Sequence, residues 1–404
     1  MNKNIWIINQ YTGGPKYGMN YRSYYIAKEF IKKGAQVTLF AGSFSHLFTN
    51  LPKTKGHFTS ENIEDIYFIW VKTPYYKSSK SIKRIWNMLV FMFKLFFFNT
   101  KKLKKPDIII ISSLSLFPIV NAYIWSKKFD AKLIFEIRDL WPQTLIELGN
   151  VSPKHPLVLF LGFFEKFGYK KADAVVSLLQ NSQEYMVKRG MQEDKFHYIP
   201  NGINIEEVQN AQSLPQHIQK EIPSNKFLIG YVGTLGIANA LDTLLEAALL
   251  LREETDIHFV LVGQGGERAS LKKFVKDNYL ENVTFIDSIP KVQVQSMLKF
   301  FNVCYIGWHK KSIYKYGISA NKIFDYMYSQ RPIIHSISLK NDIVSQSKCG
   351  LTVEAENSKK IVSAILKIYN MSPAKYKFMG ENAKAYVLQN HTYEQLAEKF
   401  WSLF

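Results

Sequence analysis

The sequence predicts two doubly wound α/β domains, each a parallel sheet with helices on both faces. Short apolar runs alternate with helix-length segments almost throughout the chain. That is the pattern of strands buried on both faces and joined by crossover helices. The alternation breaks at the turn-rich stretch His197-Tyr198-Ile199-Pro200-Asn201-Gly202-Ile203-Asn204 and restarts at Phe227 after a polar, irregular segment. A length of 404 residues also exceeds what one ordinary core supports.

In the first half, Ile5-Trp6-Ile7-Ile8 reads as the opening strand, and a helix follows from about residue 21 to 33. Further strands are expected at 37–40, 67–71, 108–111, 133–137 and 174–177. The second series is expected at 227–232, 258–262, 283–286, 303–306, 332–335 and 351–353. Each run is rich in β-branched or aromatic residues, which suit a pleated, packed surface. Sheets of this kind bind ligands beyond the carboxyl ends of their strands, so the chemistry is sought in the loops there.

Composition narrows the setting. The chain is 47% hydrophobic and carries a net charge of +19. No helix-turn-helix, zinc-finger, KH or RRM signature accompanies that charge, so nucleic acid is not the expected partner. Its densest part runs from Lys77 to Lys105, with nine Lys or Arg and no acid. The apolar run Ile85-Trp86-Asn87-Met88-Leu89-Val90-Phe91-Met92-Phe93-Lys94-Leu95-Phe96-Phe97-Phe98 between the basic ends is too short to span a bilayer. It reads as an interfacial anchor, apolar side in acyl chains and lysines on anionic headgroups, or else as a core helix with solvated ends. Leu157-Val158-Leu159-Phe160-Leu161-Gly162-Phe163-Phe164, followed by Lys166, Lys170 and Lys171, would widen the same surface. Cys304 and Cys349 have no metal spacing and lie far apart, which points to a reducing compartment. The amino terminus lacks a signal-peptide pattern, so the expected location is cytoplasmic, on the inner face of the cell membrane.

Five loops carry candidate chemistry. Tyr11-Thr12-Gly13-Gly14-Pro15-Lys16-Tyr17-Gly18-Met19 follows the first strand, lets backbone approach a ligand, and precedes a helix whose start favours phosphate. Arg22, one turn into that helix, could neutralise a phosphate. Phe135-Glu136-Ile137-Arg138-Asp139-Leu140-Trp141-Pro142 places three charges at a strand's carboxyl end. There Arg138 and Asp139 serve catalysis, or else Arg138 pairs with Glu136 or Asp139 and holds the loop. Gly230-Tyr231-Val232-Gly233-Thr234-Leu235-Gly236 opens the second domain, and Leu261-Val262-Gly263-Gln264-Gly265-Gly266-Glu267 follows its next strand. Tyr316-Gly317-Ile318-Ser319-Ala320-Asn321-Lys322-Ile323-Phe324-Asp325-Tyr326-Met327 runs from a small-residue loop into a helix. Its first turn offers Lys322 and backbone N–H groups to an anion, and Asp325 one turn on can grip two vicinal hydroxyls. Phosphate and ribose contacts at this spacing suggest a nucleoside diphosphate. No Asp-x-Asp pair follows a strand, and the histidines show no ligand spacing, so neither a metal nor another cofactor is expected.

The last of these segments, with Ser329-Gln330-Arg331-Pro332-Ile333-Ile334 behind it, resembles the carboxyl-terminal signature of retaining glycosyltransferases of family 4. The resemblance extends over nearly the whole chain and is nearest to bacterial transferases for N-acetylfucosamine in surface-polysaccharide assembly (O-antigen or capsule). It implies a GT-B fold, two Rossmann-like domains facing a cleft. The expected division is 1–200 on the acceptor side, 201–385 holding the nucleotide sugar, and 386–404 crossing back to the first domain. It also implies Gly18 near the donor's diphosphate and the acceptor, Gly233 and Thr234 on phosphate, and Gly263 beside the nucleoside. Ile289, within Ser288-Ile289-Pro290, is placed at the base, and Asp325 on ribose. Three departures stand out. Many members carry a histidine, facing the donor sugar, where this chain has Arg138. The family's first glutamate is Gly317 here, so donor-sugar contacts fall to backbone near Gly317 and Ser319, with Asn321 opening the helix. The family's arginine and lysine are Thr234 and Asn239, which leaves phosphate to backbone amides and Lys322.

The activity implied is retaining, metal-independent transfer from a UDP-sugar to a polyprenyl-diphosphate-linked glycan at an anionic membrane surface. Arg138, Asp139 and Lys322 are the catalytic candidates, and Arg22 a phosphate contact. The rival readings are a UDP-sugar epimerase of the same architecture and an inactive membrane-bound assembly protein.

Overall fold

A computed structural model describes residues 3–18, 21–78, 81–339 and 341–404. Met19 of the glycine loop and Ser79 and Lys80 of the basic segment lie outside the described residues. The chain forms two compact units. One comprises Met1–Asn201, Tyr316–Ser319 and Tyr393–Phe404; the other comprises Gly202–Lys315 and Ala320–Thr392.

The first unit is built on an eight-stranded sheet: β1 (Asn4–Ile8), β2 (Gln36–Gly42), β3 (Phe58–Ile63), β4 (Ile66–Val71), β5 (Ile108–Ser112), β6 (Lys132–Ile137), β7 (Ala174–Ser177) and β8 (Phe196–Tyr198). Their spatial order is β3-β4-β2-β1-β5-β6-β7-β8. All pairs are parallel except β3 with β4. The period-2 alternation of β1 divides the interior. Trp6 and Ile8 join one core beneath the helices Ile82–Phe96, Ile119–Phe129 and Pro156–Lys171. Ile5 and Ile7 join the other, covered by the helices Arg22–Lys32 and Tyr393–Trp401. There Tyr25 meets Tyr393 at 4.8 Å between ring centroids.

Strand β3 is absent from the sequence-based expectation. Its polar, half-buried run, with Glu61 and Asn62, hides the strand pattern. What makes it is the two-residue turn Glu64-Asp65, both at positive φ (46° and 66°), the geometry of a tight hairpin. The expected loop after β1 also contains a short helix, Gly14–Tyr17, begun by Pro15.

The second unit holds β9 (Phe227–Val232), β10 (Ile257–Val262), β11 (Val283–Ile286), β12 (Val303–Gly307), β13 (Ile333–Ser336) and β14 (Gly350–Val353), all parallel. Their order, β11-β10-β9-β12-β13-β14, is that of a doubly wound sheet whose winding reverses between β9 and β12. In the first unit the reversal falls between β1 and β5. Cys304 and Cys349 are both buried and free.

Candidate functional site

In the second unit the site grows from the ends of β9 and β10. The Gly233 N–H donates to the Val262 carbonyl at 2.9 Å. A side-chain carbon on Gly263 would lie 1.9 Å from the Gly233 carbonyl oxygen, and both glycines have left-handed φ (146° and 150°). Any larger residue would push these strand ends apart. Beyond them the turn exposes Thr234, whose carbonyl accepts the Tyr231 hydroxyl at 2.7 Å and the Asn239 Nδ2 at 2.9 Å. The next residue, Ala240, holds φ 42° and ψ 48° as it caps the helix Leu241–Leu250.

The helix Asn321–Tyr328 follows β12, at the other side of the reversal point. Ala320 gives it no side-chain cap, which leaves its first N–H groups and the positive end of its dipole available to an anion. Lys322 is its second residue. The ammonium donates to the Tyr231 hydroxyl at 2.6 Å and to Asn239 Oδ1 at 2.8 Å. It stands 4.3 Å from the centroid of the Tyr231 ring. Desolvation pushes its pKa down to about 7. Sequence reasoning found Lys322 but missed Tyr231, whose place in an apolar strand disguised it as a core aromatic.

Asp325, one turn further, is nearly buried, and its Oδ1 pairs with Lys291 Nζ at 2.5 Å. Lys291 is a second omission. Its signal was its position directly after Ser288-Ile289-Pro290, and Ile289 itself is half-buried against the core. Two histidines of the second unit, His335 and His309, are engaged in side-chain pairs. His335 sits between Asp342 and the Trp308 indole, which donates to its Nε2 at 3.1 Å, and His309 pairs with Glu356. Hydrogen bonds from His335, Ser345 and Thr352 and the charge of His335 outweigh burial and take Asp342 down to about 2. Among the described residues no three His, Cys, Asp or Glu side chains converge as metal ligands would.

In the first unit, Glu136 at the end of β6 is the centre. Its carboxylate accepts Arg22 Nε at 2.9 Å and Ser112 Oγ at 2.5 Å. Burial alone would raise this carboxyl, but the charges of Arg22 and Arg138 outweigh it and hold the pKa below the usual range. Arg22 is only 2% exposed and donates also to the Ile199 and Pro200 carbonyls. The Arg138 N–H is fixed on Ser113 Oγ at 2.9 Å. Asp139 is reached by solvent; surrounding protein raises its carboxyl and Arg138 pulls it back. Gly18 (φ 97°) ends the short helix, where a side-chain carbon would lie 2.8 Å from Thr49 Oγ1.

Tyr316–Ser319 groups with this first unit. The Asn181 N–H donates to the Tyr316 carbonyl at 2.8 Å. Ser319 Oγ accepts the Asn201 N–H at 2.8 Å, and the Ser319 carbonyl accepts Asn201 Nδ2 at 2.7 Å. Gly317 lies between at φ 110°, and a side-chain carbon there would meet the Gln180 backbone nitrogen at 2.9 Å. A glutamate at this position would therefore require the loop to shift. The structure thus forms three clusters: Gly233, Thr234 and Asn239 with Lys322; Ile289 and Lys291 with Asp325; Arg22, Arg138 and Asp139 around Glu136.

Doubly wound sheets of this order in both units define the GT-B class. Among solved structures, the chain superposes on sucrose-phosphate synthase from Thermosynechococcus elongatus with a TM-score of 0.74 and 16% identity, covering 100% of this chain and 98% of that one. An Anabaena protein, HepE, solved with UDP and glucose, aligns at TM-score 0.66 and 14% identity over 100% and 99% of the two chains. The model of Glycosyltransferase Family 4 matches residues 17–207, and that of Glycosyl transferases group 1 matches residues 226–371. A curated relative, the putative colanic acid biosynthesis glycosyl transferase WcaI of Escherichia coli (strain K12), is 28% identical over 54% of this chain and 55% of its own length. The poly(ribitol-phosphate) alpha-N-acetylglucosaminyltransferase of Staphylococcus aureus (strain COL) is 23% identical over 50% of this chain and 38% of its own length. The match thus spans about half, or less, of these relatives' lengths.

Proposed function

We propose that the chain is a glycosyltransferase of surface-polysaccharide assembly, moving a sugar from a UDP donor to a polyprenyl-diphosphate-linked glycan with retention of configuration. The observation that carries this is the Lys322 ammonium beside the Gly233-Thr234 turn, at the point where the sheet's winding reverses and one helical turn before Asp325. A cation, an uncapped helix start and a carboxylate at that spacing suit a diphosphate followed by a ribose. Relatives named for colanic acid biosynthesis and for N-acetylglucosaminyl transfer to poly(ribitol-phosphate), and the neighbour solved with UDP, support the same reading. The sugar is read as an N-acetylated 6-deoxyhexosamine such as N-acetylfucosamine.

In this reading the chemistry rests on stabilising the departing UDP, without a metal. Lys322 and the helix start hold its phosphates. Asp325 exchanges Lys291 for the ribose hydroxyls. Arg138 offsets charge at the reacting centre, and Asp139, held above its ordinary range yet open to solvent, takes the acceptor's proton. Arg22, committed to Glu136 and two carbonyls, acts by fixing the end of β6 that carries Arg138 and Asp139.

Membrane association belongs to the same reading. No helix among the described residues is long and apolar enough to cross a membrane. The helix Ile82–Phe96 nevertheless exposes Trp86, Phe93 and Phe96, and Phe97 follows it. The helix Pro156–Lys171 exposes Leu159, Phe160 and Phe163. Both pack on the same core, so their exposed rings and flanking lysines lie over one face of the sheet. Peripheral binding to an anionic inner leaflet fits such a face. Titration calorimetry tests the donor site. Asp325→Ala should weaken UDP binding at least about tenfold, the loss expected for hydrogen bonds to a charged group. Unchanged affinity would count against the assignment.

A further inference from the structure

We propose that Tyr231 and Asn239 are positioning residues that aim the Lys322 ammonium at the donor's diphosphate. This rests on the reading of Lys322 as the diphosphate's cation. The polarity of the arrangement is set by one atom, the Thr234 carbonyl oxygen. It accepts both the Tyr231 hydroxyl and the Asn239 amide nitrogen. Each of those side chains therefore turns its remaining acceptor away from Thr234, and both acceptors meet Lys322. Tyr231 is fully buried, and burial holds its hydroxyl above the ordinary phenol range, so it keeps the proton it donates. Asn239 is held by the adjacent Ala240, whose left-handed backbone is the kind of strained position that persists where surrounding structure demands it.

A lysine ammonium has three donors on a flexible stem. Two are taken by neutral acceptors, and the ring of Tyr231 lies beneath the charge. Gly233 lies alongside the charge, where a side-chain carbon would come within 3.2 Å of Nζ. Neutral acceptors orient the cation without cancelling it, which a carboxylate would do. Among the described residues Lys322 forms no ion pair. The titratable group in contact with it is Tyr231 on β9, itself influenced by Tyr305 on β12. The geometry thus presents a single uncompensated, directed positive charge to an anion arriving at the glycine turn.

The test compares calorimetric affinities for UDP and for uridine, which lacks phosphate, in Tyr231→Phe, Asn239→Leu and Lys322→Met. Each of the first two should weaken UDP about tenfold, the size expected for one hydrogen bond to a charged group. Uridine affinity should stay unchanged, and neither variant should add a loss when combined with Lys322→Met. Equal weakening of UDP and uridine would show a merely structural role and overturn the proposal. Full UDP affinity in both variants beside a loss in Lys322→Met would overturn it while sparing the cation reading. Full UDP affinity in Lys322→Met would overturn the cation reading itself. Should Asn239→Leu fail to fold, Tyr231→Phe, which keeps the ring, carries the test alone.

Discussion

Lys322 makes the sharpest residue-scale statement. Its pKa stands at about 7, well below the ordinary lysine value, because desolvation disfavours the charged form. A diphosphate binds the charged form, so affinity for a UDP-sugar should fall as pH rises through about 7. The phosphates of a UDP-sugar do not themselves titrate there, and Lys322→Met should flatten the profile. The linkage to folding has the same origin. The unfolded chain binds the proton more tightly, so this group makes stability rise with pH between about 7 and the ordinary lysine range. Lys322→Met should therefore leave the melting temperature unchanged or raised, checked by thermal unfolding. Gly317→Glu, which writes the family residue back in, should lower stability by roughly 1–3 kcal/mol, the scale of a side chain forced into left-handed backbone. A melting curve like that of the parent would contradict the steric account. Lys322, Asp325 and the glycines were legible in the sequence because their types and spacing are local. Tyr231 and Lys291 were not, since each acquires its role from a partner 91 or 34 residues away.

At the scale of elements, the basic helix was legible because its composition is extreme, and the structure places it at Ile82–Phe96, capped by Ser81. Its inner face was less so. Asn87, an amide within the apolar run, is fully buried, accepting Gln10 Nε2 at 2.5 Å and donating to the Pro74 carbonyl at 2.6 Å. Buried amides of this kind fix a helix's rotation, and no sequence period announces them. Because Phe93 is half exposed and Trp86 more so, their replacement by glutamate should spare the fold. Co-sedimentation of Trp86→Glu/Phe93→Glu with vesicles rich in anionic lipid should fall severalfold, with circular dichroism unchanged. The end of β6 makes a contrasting prediction. Glu136→Ala leaves Arg22 buried without its counter-charge and should cost on the order of 3 kcal/mol in chemical denaturation. Glu136 also contributes stability above its depressed pKa that is lost as pH falls through it, so this variant should show a weaker acid dependence than its parent.

Across the whole molecule, the class of fold was readable because twelve apolar runs and their spacing repeat one physical motif. Twelve of the observed strands coincide with those runs to within a residue or two at each end, apart from the extra length of β2. What escaped was non-local. β3 exists through its hairpin turn, β8 is a short edge strand, and Tyr316–Ser319 belongs to the first unit although the sequence around it belongs to the second. The central claim is transfer from a UDP donor to a lipid-linked acceptor. It is tested most directly by incubating the protein with a panel of UDP-sugars and detecting free UDP, with and without a short lipid-diphosphate-linked sugar. The account predicts release that requires both partners and a glycosylated lipid as product. A donor sugar altered without any acceptor would make the chain an epimerase, and donor binding without release across the panel would make it an inactive assembly protein; either result would contradict the account.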